Sequence, residues 1–325
     1  MVRSLTLALF LVSFLAFTST AKALMTIHTL ESPNKEFKLV LAFGPMNDVY
    51  CTVFHKGKML FQISNPVFEL ADDDYLPATA KYSLRITDDE GKPALKPSRF
   101  RPNSSGPGQV KSIRDMDGSA DYDEMSVTYR KTKEGKSVGM GDRYNPDDYE
   151  DLVKIVFRAY NGGIAYRYEI ATKRNDTFTI KNEVIEFDFP DDYSCWANYS
   201  KQQSATPEKT SLSKIKKDLG CKSLQIELPD GLAISFGELS HFGFAAMAFQ
   251  PGAERTGTFS NLFDGQGTID RTGKRTAVVV KLDGDTVIQG TGGIYRTPWR
   301  FFTTSDAKES GGMLESLNTP ERFRF

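Results

Sequence analysis

Residues 152–170 read LVKIVFRAYNGGIAYRYEI. Val153, Ile155, Phe157 and Ala159 alternate with Lys154, Arg158 and Tyr160. After Asn161-Gly162-Gly163, the residues Ile164, Tyr166, Tyr168 and Ile170 alternate with Ala165, Arg167 and Glu169. A period of two places one set on a core face and the other towards solvent or a second layer. Asn-Gly-Gly supplies residues that tolerate positive φ, as a tight hairpin turn requires. The stretch predicts two strands around a turn.

Working outward, the same alternation recurs. Phe37 to Phe43, Tyr50 to Phe54, Val67 to Leu70, Met125 to Arg130 and Val184 to Phe189 read as strands. So do Leu224 to Leu228, Leu232 to Phe236, Ala277 to Leu282, Thr286 to Gly290 and Arg300 to Thr304. Ser64-Asn65-Pro66 is expected to break the pattern, and Phe242 to Phe249 is a candidate buried strand. Residues 87–124 are poor in hydrophobics and predict a long loop region with room for one strand. A short helix is expected around Leu212 to Lys217 and another at Met313 to Leu317. Many short strands with Gly, Pro and Asp turns, and no βαβ alternation, predict one large β-sandwich.

Composition narrows the function. A net charge of −1 gives no basic field for nucleic acid. At the N-terminus, Arg3, an apolar run from Leu5 to Phe17 and Ala21-Lys22-Ala23 read as a signal peptide over residues 1–23, cleaved near Ala23. The run is shorter than the roughly 20 residues that cross a bilayer. The expectation is an exported protein, periplasmic or secreted, without a membrane span, whose domain occupies residues 24–325. With three cysteines, Cys51, Cys195 and Cys221, at least one is unpaired; Cys195 and Cys221 could form a bridge.

Motifs for catalysis are sparse. The histidines His28, His55 and His241 fall in no nucleophilic or zinc motif. Asp115, Asp117 and Gly118 lack the register of a calcium loop, so a solvated turn is expected. Three acids have more interesting neighbours: Glu183 beside a strand, Glu208 after Trp196, and Glu238 after Ile234-Ser235-Phe236. The expectation for each is a solvated carboxylate or a local cap. Trp196 and Trp299 could stack on sugar rings, but burial tendencies place both in the core.

Taken in order, the phrases carry more than their alternation. FRAYNGGIAYRYEI from Phe157 to Ile170 closely resembles a hairpin in the N-terminal domain of glycoside hydrolase family 97. Leu30 to Glu36, Phe178 to Glu183, Glu186 to Phe189, Leu228 to Leu239, Arg296-Thr297-Pro298-Trp299-Arg300 and Leu314 to Pro320 are similar to that domain's other motifs in sequence order. The resemblance covers roughly Leu30 to Pro320 and implies an all-β fold, a large two-sheet β-supersandwich like galactose mutarotase. It also implies a partner: a (β/α)₈ barrel that carries the catalytic residues of exported, calcium-using α-glycosidases. Such a barrel is not expected in this sequence, so no catalytic residue is assigned.

The function expected from the resemblance is a carbohydrate-binding or carbohydrate-associated module for an α-glucan or α-galactoside. The alternative is a truncated or split α-glycosidase whose barrel is a separate chain. Glu208, in Thr206-Pro207-Glu208-Lys209, is the position similar to the family's loop glutamate that helps hold calcium. No cofactor is expected for the module alone, since calcium takes six to eight oxygen ligands. A mutarotase-like activity would need an acid and a base facing a concave sheet.

Overall fold

The structure, a computed structural model, describes residues 27–43, 49–71, 75–76, 111–113, 121–133, 147, 149–199, 206–239, 243–252, 255–256, 262–263, 269–270, 274–307 and 310–318. Its strands begin with β1 (Ile27–Glu31), β2 (Phe37–Phe43), β3 (Val49–His55), β4 (Lys58–Leu70), β5 (Tyr75–Leu76), β6 (Lys111–Ile113) and β7 (Tyr122–Thr132). They continue with β8 (Tyr149–Tyr160), β9 (Gly163–Ala171), β10 (Thr177–Phe189), β11 (Ser194–Tyr199), β12 (Glu208–Ser211), β13 (Cys221–Glu227), β14 (Ala233–Glu238) and β15 (Met247–Pro251). The last are β16 (Arg255–Thr256), β17 (Leu262–Phe263), β18 (Ile269–Asp270), β19 (Lys274–Leu282), β20 (Thr286–Gln289), β21 (Ile294–Arg296) and β22 (Arg300–Thr304), before helix α1 (Ser310–Asn318).

Two antiparallel sheets result. One runs β1-β2-β3-β4-β10; the far side of β10 then pairs with β20 and β19, and β15 follows β19. The other runs β12-β11-β13-β14-β22-β9-β8-β7-β6. Cys221 opposite Phe249 links β13 to β15 and joins the sheets along one side. The fold is the all-β sandwich that the alternation predicts.

The sheets meet on their apolar faces. Phe61 of β4 lies 4.9 Å from Phe302 and 5.3 Å from Phe236, both on the other sheet, and 5.7 Å from Phe187 on its own. Tilted and edge-on rings at these separations favour the contact beyond the area they bury. The three cysteines are buried and unpaired, and burial pushes the thiols of Cys195 and Cys221 up to about 12. The Cys195–Cys221 bridge left open by the sequence does not form.

Several boundaries differ from the sequence expectation. Ser64-Asn65-Pro66 does not end a strand: β4 runs 13 residues through it. The β4–β10 register slips there, with Val184 opposite Val67 but Glu186 opposite Ser64. The irregularity accommodates a proline that has no N–H to give the ladder. Around Leu212 the chain forms two short 3₁₀ turns, Leu212–Lys214 and Lys217–Leu219, instead of one helix. Phe244 precedes its expected strand, which starts at Met247. Residues 1–26, His241, Asp115, Asp117 and Gly118 lie outside the described residues.

The opening hairpin is present, with Tyr160 opposite Gly163. Of the three turn residues, Gly163 is the one with positive φ, at 156°, as the Asn-Gly-Gly reading allows. Neither Asn161 nor Gly162 adopts positive φ. Gly163 is also needed for close approach: a Cβ there would sit 2.3 Å from the Phe302 carbonyl oxygen and 3.2 Å from Met313 Sδ. Asn161 Oδ1 accepts the Asn34 backbone N–H at 2.8 Å, tying the turn to the start of the domain.

Candidate functional site

Pro298-Trp299-Arg300 enters β22, and neighbouring residues on a strand point to opposite faces. Thr297 fixes the approach: its backbone N–H donates to the Tyr168 carbonyl at 3.0 Å, and its hydroxyl accepts the Tyr168 N–H at 3.0 Å. Trp299 therefore lies on the outer face of the sheet and Arg300 on the inner face.

On the outer face, the guanidinium carbons of Arg158 and Arg167 lie 4.4 Å and 4.5 Å from the Trp299 ring centre. Arg158 Nε donates to Glu124 at 2.8 Å and Arg167 Nη2 to Glu169 at 2.7 Å. Lys154, opposite Glu169 in the β8–β9 register, reaches its other oxygen at 2.7 Å. Met313 and Leu317 of α1, four residues apart and so on one helix face, close over Trp299, Tyr160 and Val156. This second layer explains why both faces of the hairpin are buried.

On the inner face, Tyr166, Arg300 and Glu238 form one cross-strand row: Arg300 is opposite Tyr166 on β9 and opposite Glu238 on β14. Glu183 meets this row from β10 on the other sheet. Arg300 Nη2 lies 2.7 Å from Glu183 Oε2 and 3.1 Å from Glu238 Oε2. Arg300 is 1% exposed and Glu183 0%. Phe244 caps the guanidinium at 5.6 Å. Neither ion contact is aligned as a hydrogen bond, and the hydroxyls of Tyr166 and Tyr168 also lack an aligned partner. Burial, the largest influence, and the Glu238 charge push the Glu183 carboxyl up to about 7, against the opposing pull of Arg300 and the nearby Tyr168 hydroxyl.

Glu183 is thus corrected from a solvated carboxylate to a sealed one, because it faces the opposite sheet. Glu238 joins it, and its other oxygen accepts the Met247 N–H at 3.2 Å. Sequence reasoning missed Arg300; its only signal was a charge at a position with inward parity in RFFTT. Trp299 is 6% exposed, as expected.

Trp196 is corrected in the other direction, with 36% of it exposed on the outer face of β11. Its indole N–H donates to Glu227 Oε1 at 2.7 Å, and Lys209 bridges from 5.3 Å over the ring to Glu227 Oε2 at 2.7 Å. Glu208, opposite Ala197 on edge strand β12, bonds Lys216. The structure therefore brings Glu183 and Glu238 together and leaves Glu208 apart from them. Calcium needs a shell of oxygens, and among the described residues no group of three or more His, Cys, Asp or Glu could hold a metal. Glu208 contributes one carboxylate, engaged by Lys216.

The family described as Glycosyl-hydrolase 97 N-terminal matches residues 30–318. The chain belongs to this family. No curated protein matches it. Among solved structures, a family 97 glycoside hydrolase from Pseudoalteromonas sp. strain K8, in complex with acarbose, is similar over 90% of this chain and 38% of its own, with TM-score 0.55 and 15% identity. A β-arabinopyranosidase is similar over 86% of this chain and 40% of its own, with TM-score 0.53 and 12% identity. At such identities the likeness concerns the fold. The family 97 chain spans 38% of the first neighbour's length. Among the described residues, no helix is long and apolar enough to cross a membrane.

Proposed function

We propose that this family 97 sandwich is a non-catalytic, carbohydrate-associated module of an α-glycosidase, acting on α-glucans or α-galactosides with a (β/α)₈ barrel. The barrel is either joined to it or a separate chain. The observation that carries this reading is the family match over residues 30–318, nearly the whole sandwich. The neighbour with acarbose bound, and a variant of it with panose, give an α-glucan-like ligand its weight. The non-catalytic part rests on the acids. A glycosidase needs two carboxyl groups flanking an open cleft. Glu183 and Glu238 instead share one guanidinium nitrogen, with Glu183 0% exposed.

In this reading Glu208 supplies one carboxylate to a calcium ion whose other ligands come from the barrel. Export follows from residues 1–23 and is checked by the mass of the mature N-terminus.

Titration calorimetry against malto- and α-galacto-oligosaccharides tests the module. Saturable heat at millimolar sugar is expected, and no heat with either class overturns the carbohydrate-binding assignment. With the barrel present, Glu208→Gln is expected to weaken the calcium dependence of hydrolysis. Unchanged dependence overturns the role of Glu208.

A further inference from the structure

The seam around Arg300 does not balance its charges. Glu183 and Glu238 bring two negative charges, and Arg300 brings one positive charge. Among the described residues, the other titratable groups facing Glu183 are Tyr168 and Tyr166 of β9, with Tyr129 of β7 behind Tyr168. None of these adds a cation. An excess charge without water around it is strongly disfavoured, and such a site neutralises itself by taking a proton. Both oxygens of Glu183 and the two tyrosine hydroxyls are buried without an aligned hydrogen bond. A proton on Glu183 would give it an O–H donor and leave tyrosine oxygens nearby to accept.

Glu238 is the poorer candidate. Its side chain is 13% exposed, and it already accepts a backbone N–H from Met247. It lies 3.1 Å from Arg300 Nη2. We propose that Glu183 is a buried proton-binding site that clasps the two sheets, closed when the carboxyl carries a proton and loosened when it gives that proton to solvent. No other bond is made or broken in the step. The residues that would feel the loss are those Arg300 joins: β10 on one sheet, β14 and β22 on the other.

The test compares the thermal stability of the chain with that of Glu183→Gln, a neutral isostere, across about pH 5 to 8.5. His28 and His55 are held below their usual range by burial and act in the opposite sense over part of this window. The difference between the two proteins is therefore the readout. The unfolding constant of the unsubstituted chain should rise against the variant by up to roughly tenfold per pH unit from about pH 5 to about pH 7 and level off above that. Equal slopes overturn the proposal. Should the variant fail to fold, infrared spectra of the unsubstituted chain with ¹³C-labelled glutamate decide the matter. A protonated carboxyl band that persists in the native protein near neutral pH and fades on raising the pH is expected; its absence overturns the assignment.

Discussion

Trp299 and Arg300 are adjacent in the chain and stand in opposite electrostatic settings. Outside the sheet, one aromatic ring lies against two guanidiniums, and each of these has a carboxylate of its own. Inside, two carboxylates divide one guanidinium. Glu169 and Glu183 are 7% and 0% exposed, yet their carboxyls move in opposite directions. Burial pushes Glu169 up, but Lys154 and Arg167 outweigh it and hold the group down at about 2. Burial pushes Glu183 up to about 7, and Arg300 does not reverse this. Burial alone thus does not set the direction; the number of cations per carboxylate does.

The sharpest way to break the contrast is Arg300→Leu. It leaves Glu183 and Glu238 without their shared cation and should cost about 3–5 kcal/mol in denaturant unfolding. A loss below about 1 kcal/mol would show that water already reaches the seam. Next is Trp299→Ala, which removes the ring between the arginines and the apolar contact with α1. A loss of about 3 kcal/mol is expected by the same measurement. Gly163→Ala drives a methyl into the Phe302 carbonyl and should cost about 1–3 kcal/mol, with a shift of β22 visible in a crystal structure.

Glu169→Gln probes the outer carboxylate by pH. A group whose pKa is depressed stabilises the fold above its unfolded value and loses that contribution as pH falls through its folded one. The unsubstituted chain should therefore lose stability towards about pH 2, as Glu169 takes a proton, and the variant should show less of that loss. The smallest effect is expected from Trp196→Ala. There, losing a tryptophan–lysine–carboxylate contact on the outer face of β11 should cost only about 0.5 kcal/mol. A larger loss would mean that the outer face of β11 is covered in solution.

Much of the sandwich was legible because strands write their faces with period two. The hairpin and most strand positions follow from it. Pro66 misled because a proline ends most strands, whereas here the β4–β10 register slips around it. The site was less legible. Glu183 and Glu238 stood out, but they are 55 residues apart by their numbering and reach each other only through Arg300.

The sequence by itself determined that this is an all-β chain of family 97 wording, and which side chains alternate on each strand. That information is local, because backbone geometry sets the parity of neighbours. The tertiary structure decided what each face meets. Trp196 and Trp299 carry the same expectation, yet only Trp299 lies beneath α1. Arg300 became the centre of the seam because the registers of β9, β22 and β14 align it with Tyr166 and Glu238, while β10 brings Glu183 from the opposite sheet. Register and sheet stacking are long-range choices, made by the packing of the whole core and not by any one stretch.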